Sequence, residues 1–560
     1  ILGPCFMMME VVGDVLLPYM LAKIINQGIA ERNVAYIIKI GAIMGLIAVI
    51  MAVGGVLGAW FASKAAMNFG ADLRMDLFEK IQQFSFQNID NFSTGSLITR
   101  LTNDITQIQN MIMMTLRMCL RSPGILIGAM VMAFVISPKM AAIFIIVLPV
   151  LAVLIVVIMR RAFPQFRTLQ EKLDALNSCI QEGLVGIRLI KSFVRGDYEE
   201  MRFEKRNQQL KEANLTAMKT MLLYTPLMTL ALNITTVVVV WSGGNMIVAG
   251  NMQVGDLTAF TNYIVQIMSS LTMLSIAFLN WARAIASFRR VGEVLNEKID
   301  LTDENAKHKD RAVCEGSVEF QNVSFRYYKN SPEWVIENIS FKLEAGKTLG
   351  IIGSTGSGKS TLVSMIPRLY DTDEGTVLVD GINVRDYGLK PLREGIGMVL
   401  QNNTLFSGSI TENLKWGDEH ADEKAVRKAA QNAQAAGFID SFKDGYRTRL
   451  EQSGNNVSGG QKQRLCIARA LLKCPKILIL DDSTSAVDTA TERAIREALH
   501  SEYKDMTKII IAQRIRSVMD ADEILVLDNG KTAGFGTHEQ LLADCPVYRE
   551  IYDVQNGREE

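Results

Sequence analysis

Six stretches of about twenty mostly apolar residues occur before residue 300 and none after it, and this division limits the fold more than any other feature. They lie near 1–27, 36–62, 121–137, 139–159, 221–249 and 254–282, each long enough to cross a bilayer as a helix. In hydrocarbon the backbone polar groups must be satisfied within the segment, so residues 1–295 are expected to form an all-α six-helix transmembrane domain. Six spans leave both ends on one side. Arg and Lys crowd 64–121 and 160–219, whereas the links Glu31 to Val34, Ser137 to Lys139 and Gly243 to Gln253 carry almost none. The two long excursions are therefore assigned to the cytoplasm of a bacterial-type plasma membrane. Both are amphipathic with few breakers, and helices of about 25 residues out and back would put their turns almost 40 Å from the bilayer. Phe92 to Asp104 and Val194 to Phe203, where Gly and capping residues interrupt the helical pattern, are the expected contacts with a cytosolic domain.

Residues 296–316 (NEKIDLTDENAKHKDRAVCEG) are polar and without apolar periodicity, which reads as a linker. From 317 to 560, short apolar runs alternate with helical patterns, as in an α/β domain. With 59 basic and 59 acidic residues there is no global field to favour nucleic acid, and no nucleic-acid partner is expected; membrane lipid surrounds the first half. The seven cysteines are scattered and read as free thiols. Residues 1–29 lack the basic front of a cleavable signal and run straight into an apolar helix, and the expectation is that an N-terminal tail precedes them.

The chemistry concentrates in the second half. Gly353, Ser354, Thr355, Gly356, Ser357, Gly358, Lys359 and Ser360 spell a full G-x-x-x-x-G-K-S after the apolar run Thr348 to Ile352, and Thr361 continues into a helical segment. Such a loop turns backbone N–H groups and a helix start toward phosphate oxygens; Lys359 would neutralise the outer phosphates and Ser360 would ligate Mg2+. Lys476 to Asp482 (KILILDD) is an apolar strand ending in acids, placing Asp481 to hold the metal of a bound ATP.

Between these anchors stands VSGGQ, Val457 to Gln461, followed by KQRLCIARALL, and here the chain resembles the ABC transporter ATPases. The likeness spans essentially the whole sequence, because FGADLR and SLITRLTND resemble the membrane domain of ABC exporters. It implies an α/β P-loop ABC ATPase domain in which Tyr327 stacks on adenine, Gln401 links Mg2+ to the membrane domain, and Ser485 to Asp488 form the D-loop. It also implies that two such domains meet head to tail, so that Ser458, Gly459, Gly460 and Gln461 grip the ATP of a second half-transporter chain.

Two positions depart from that pattern. Asp482 stands where the family usually has Glu, one methylene longer, to polarise the attacking water, and Gln513 replaces the switch histidine. The expectation is good ATP binding with weak hydrolysis, within a heterodimer resembling the bacterial multidrug exporters that carry one degenerate site. A slow homodimeric drug or lipid exporter and an ATP-switched membrane regulator are the alternatives. In the membrane half, Thr258, Asn262, Gln266 and Ser269 recur at helical spacing, and Glu10 and Asp14 are an i, i+4 acid pair before Pro18. Together they suggest a cation-accepting cavity on the path of a small amphipathic solute, with interhelical hydrogen bonding as the other reading.

Overall fold

The computed structural model describes residues 2–329, 331–483 and 487–556, with the backbone alone at 275–276, 278–280, 282–283 and 556. The chain divides into two compact units, residues 1–81 with 95–296 and residues 82–94 with 297–560.

In the first unit, five helices among the described residues are long and apolar enough to cross a membrane: Leu2–Ile29, Val34–Gln82, Thr94–Ile136, Pro138–Val185 and Gly196–Val248. A further helix of 42 residues, Val254–Leu295, follows them. Their ends follow local chemistry. Ser137 accepts from the Met140 N–H, and Pro138 opens the next helix at the position where its missing N–H is harmless. Gly250 adopts φ +73° after the helix ending at Val248, a conformation that suits glycine. Three residues later Gln253 and Asp256 form a capping box that restarts the chain as the last helix.

Without a hydrophobic force between helices in lipid, packing relies on close approach and on polar contacts. The second helix buries a ridge of small residues, Gly54, Gly58, Ala62, Ala66 and Gly70, one every fourth position. A methyl on Gly58 would lie 2.3 Å from Met7 Cε, and one on Gly70 would lie 2.5 Å from Gln109 Oε1, so the ridge is small because its neighbours are close. Phe144 stacks on Phe260 at 5.2 Å, and the buried Tyr263 hydroxyl donates to the Val15 carbonyl at 2.8 Å.

Polar anchoring is strongest in the segment Arg100–Asp104. Arg100 donates to the Arg290 carbonyl at 2.5 Å and to Glu293 at 3.1 Å. Asp104 is almost fully buried and accepts from Ser287 Oγ and Arg290 Nε, both at 2.8 Å. Removing one partner of a buried pair leaves the other without compensation. We expect Asp104→Ala to lose about 1–3 kcal/mol of stability, less than a fully buried pair because Arg290 is half-exposed. Asp104→Asn, which still accepts from Ser287, should lose less. Thermal unfolding of the detergent-solubilised protein ranks the two.

Among the described residues the second unit has twelve strands: β1 (Val318–Phe325), β2 (Ile336–Leu343), β3 (Thr348–Gly353), β4 (Glu374–Val379), β5 (Ile382–Asn383), β6 (Ile396–Val399), β7 (Gly408–Ser409), β8 (Arg449–Leu450), β9 (Ile477–Asp481), β10 (Thr507–Ile511), β11 (Glu523–Asp528) and β12 (Lys531–Gly536). The main sheet has the order β12-β11-β3-β10-β9-β6 and is parallel except at β12. An antiparallel sheet β2-β1-β4-β5 shares its core, in which Phe320 and Phe341 stack at 4.7 Å. Residues 297–316 carry neither α-helix nor β-strand, yet Leu301 and Val313 are buried. The Asp380 carboxylate pins the end of this segment by accepting four backbone N–H bonds, from Cys314, Glu315, Gly316 and Ser317, at 2.7–3.1 Å.

Candidate functional site

Parallel strands bring their carboxyl ends to one edge, and ligands of open α/β sheets bind there. Here β3, β10, β9 and β6 are neighbours, so the segments that leave them must meet. They supply the phosphate loop, Gln513, the pair Asp481 and Asp482, and Gln401. These residues, with Val335 and Ile511, line one cleft of about 220 Å³.

The loop from Gly353 ends at Gly358, whose φ of +89° starts the helix Lys359–Ser364. Any Cβ on Gly358 would lie 2.6 Å from Ile336 and 2.9 Å from the Val335 carbonyl, so glycine is required both by conformation and by space. Lys359 Nζ donates to the carbonyls of Gly353 and Ser354 at 2.8 and 2.7 Å, folded back across its own loop. Burial lowers its pKa, opposed by the charges of Asp482 and Asp481. Ser360 Oγ donates to Asp481 Oδ1 at 2.9 Å. Hydroxyl and carboxylate oxygens thus face one spot, the hard donor set that Mg2+ selects. The ion, held by Ser360 and Asp481 with Gln401 beside them, would supply positive charge against the phosphates.

Asp481 is 4% exposed at the end of an entirely buried strand, and burial raises its pKa, with Asp482 adding to the rise. Asp482 is likewise raised, first by burial. It takes φ +47°, uncommon for a non-glycine residue, and its amide donates to the Ile511 carbonyl. Its carboxylate accepts from Gln513 Nε2 at 2.8 Å and is also hydrogen-bonded by Gln401. Asp482 and Gln513 therefore touch each other.

Tyr327 does not line the cleft wall; its hydroxyl shares a 2.8 Å hydrogen bond with Thr361 Oγ1, which sets the ring beside the helix that leaves the phosphate loop. Tyr327 meets Tyr370 edge-on at 5.3 Å, and the Tyr370 hydroxyl donates to Asp90 at 2.9 Å. Asp90 ends the short helix Phe86–Asp90, capped by Ser85 and tied by Asn88 to the Lys298 carbonyl. This contact lies just before Phe92 to Asp104, because aromatic Phe86 packs on Tyr370 at 6.0 Å whereas residues from Gly95 onward belong to the other unit. Sequence reasoning missed it; paired aromatics in NFS-preceding FSFQNID and in RLYD were the available signal.

Ser458, Gly459, Gly460 and Gln461 lie away from this cleft. Ser458 caps the helix Gly459–Leu472, accepting from the Gln461 N–H while Gln461 reciprocates, so the helix start is well ordered and presents its amides. Asp488 caps the helix Thr489–Glu502 through Thr491. Ser485 lies outside the described residues.

In the membrane unit, Glu10 and Asp14 both pair with Arg121, at 2.9 and 3.2 Å. One guanidinium between two carboxylates leaves a formal excess of one negative charge. Gln266 Nε2 donates to the Asp14 carbonyl at 2.7 Å, whereas Thr258 and Asn262 bond to carbonyls one turn back on their own helix, and Asn262 and Ser269 are exposed.

A phosphate loop beside a buried hydroxyl and carboxylate pair, joined in one chain to bilayer-length helices, marks the class of nucleotide-dependent membrane proteins. Residues 1–271 match the family described as ABC transporter transmembrane region, and residues 336–485 that described as ABC transporter. The chain belongs to the ABC transporters, as a multi-pass membrane protein with a cytoplasmic ATPase domain. The uncharacterized ABC transporter ATP-binding protein YfiB of Bacillus subtilis (strain 168) is 40% identical over 553 residues, 99% of this chain and 96% of that one. The putative multidrug export ATP-binding/permease protein YgaD of the same organism is 35% identical, over 89% of this chain and 85% of its own. A solved bacterial Atm1-family ABC exporter with ATP bound shares the fold, with a TM-score of 0.84 at 24% identity over 100% of this chain and 98% of that one.

A raised carboxylate pKa means that the folded state binds the proton more tightly than the unfolded one. Stability then falls as pH rises from the unfolded pKa through the folded one, and the full deficit is present only above the folded pKa. Asp481→Asn should therefore leave the nucleotide-free protein as stable as before or slightly more so at pH 7. The same change should remove the additional thermal stabilisation that Mg2+ gives over ATP alone. Melting curves with ATP, with and without Mg2+, check both.

Proposed function

We propose that this chain is one subunit of an ATP-driven exporter that moves amphipathic solutes outward, paired with a second, different ABC half-transporter. Its own phosphate loop binds Mg2+ and ATP and hydrolyses slowly. Its Ser458 to Gln461 helix start completes the competent site of the partner. The observation that carries this reading is the hydrogen bond from Gln513 Nε2 to Asp482 Oδ2.

A water-polarising base needs a free carboxylate oxygen aimed at the attacking water. Asp482 has the shorter side chain, and the Gln513 and Gln401 amides hold it. Gln513 can donate to a γ-phosphate but has no imidazole to take up or deliver a proton. The binding groups do not depend on either residue: Lys359, Ser360, Asp481 and the glycine turn are complete. Retained binding with impaired chemistry suits a long-lived clamp that keeps two ATPase domains associated while the other site turns over. One relative, named a putative multidrug export ATP-binding/permease protein, supports an amphipathic solute. The Glu10, Arg121 and Asp14 group, with its excess negative charge, suits a cationic one.

Purified alone, the chain should hydrolyse ATP slowly, and the double change Asp482→Glu with Gln513→His should raise its turnover roughly 100-fold, the contribution of a positioned general base. Brisk turnover by the unmodified chain, or no gain from the double change, overturns the assignment.

A further inference from the structure

We infer that Gln555, near the end of the helix Pro546–Asn556, is a positioning residue that sets the loop carrying Gln513 for recognition of the γ-phosphate. The inference rests on the reading of Gln513 as a γ-phosphate contact, and extends it to a helix that has no residue in the cleft.

Residues 512–514 leave β10 without regular structure to hold Gln513 in place; only after Arg514 does a single helical turn, Ile515–Ser517, begin. The Gln555 side chain straddles this break. Its Nε2 donates to the Gln513 carbonyl at 2.8 Å, and its Oε1 accepts from the Ile515 N–H, also at 2.8 Å. One amide thus satisfies an acceptor and a donor two residues apart, and the arrangement fixes the backbone on both sides of Arg514. From the same backbone, the Gln513 side chain reaches Asp482 at 2.8 Å.

The helix that carries Gln555 is itself firmly seated. Tyr548 is fully buried, its hydroxyl hydrogen-bonds His538 Nδ1 at 2.7 Å, and Ile551 and Tyr552 pack on the same small core. That core includes Ile352, the residue before the phosphate loop, and Ala512 and Ile515, which flank Gln513. The helix therefore rests on the roots of both segments that would contact phosphate. Because Gln555 is exposed, its two hydrogen bonds are not needed to fill buried space, and a side chain without them can be accommodated without unfolding the core.

The test measures binding of Mg2+-ATP and Mg2+-ADP to the full chain, by competition with a fluorescent nucleotide, for Gln555→Leu, Gln555→Glu, Gln513→Ala and the pair Gln513→Ala with Gln555→Leu. Gln555→Leu should lower the preference for ATP over ADP roughly fivefold, the scale of a modest coupling between sites, with ADP affinity kept within about twofold. Gln555→Glu, which still accepts from the Ile515 N–H, should be intermediate. The pair should be no worse than Gln513→Ala alone, since both act through one contact. Equal loss of ATP and ADP binding in Gln555→Leu marks a merely structural role and overturns the inference. If Gln513→Ala lowers the preference and Gln555→Leu does not, the positioning role alone falls; if Gln513→Ala has no effect, the γ-phosphate reading falls and the positioning role with it.

Discussion

Two carboxylates and one ammonium group meet at the end of a buried strand, and the ATPase unit is organised around their imbalance. Asp481 and Asp482 are taken out of water at the end of β9, and burial raises both pKa values. Lys359 is the cation that faces them, but it is spent on the carbonyls of its own loop, and burial lowers its pKa in turn. A site with buried acids short of positive charge, beside a loop of N–H groups short of negative charge, is stabilised when a metal ion and a polyphosphate arrive together. The parallel order of β3, β10, β9 and β6 exists to bring those parts to one edge.

Against that background the two unusual residues form a coupled pair. Asp482 and Gln513 come from neighbouring strands, and their side chains hydrogen-bond across the cleft. A histidine at 513 would bring a titratable group to the same place; glutamine brings a neutral donor that satisfies the aspartate without taking a proton. A change at one of the two positions alters the hydrogen-bond partner of the other.

The membrane unit solves a different problem with small residues and a few polar anchors. The ridge from Gly54 to Gly70 lets helices approach closely, and charged groups that enter the helical bundle are met by a partner: Glu10 and Asp14 by Arg121, and Asp104 by Arg290. The motif SLITRLTND owes its form to this packing, since Arg100 and Asp104 stand one turn apart to grip the same stretch of the last helix.

Local chemistry that is written in consecutive residues was legible in the sequence. Bilayer-length apolar runs, the G-x-x-x-x-G-K-S loop and the strand ending in Asp481 each depend on neighbours in the chain, so the two classes of unit, and the loop and strand that meet in the cleft, could be read directly. Contacts between residues far apart in sequence could not. Gln555 lies 42 positions from Gln513, Tyr370 lies 280 from Asp90, and Arg121 lies 107 from Asp14. Local sequence can show aromatics available for packing, as in FSFQNID and RLYD, but it does not name the partner, because hydrogen bonds and ion pairs are decided by distance in space. The sequence by itself determined which segments prefer lipid and which loop can hold phosphate; only the packing of strands and helices decided which side chains meet there, since strand order and helix contact are set by burial of the whole core.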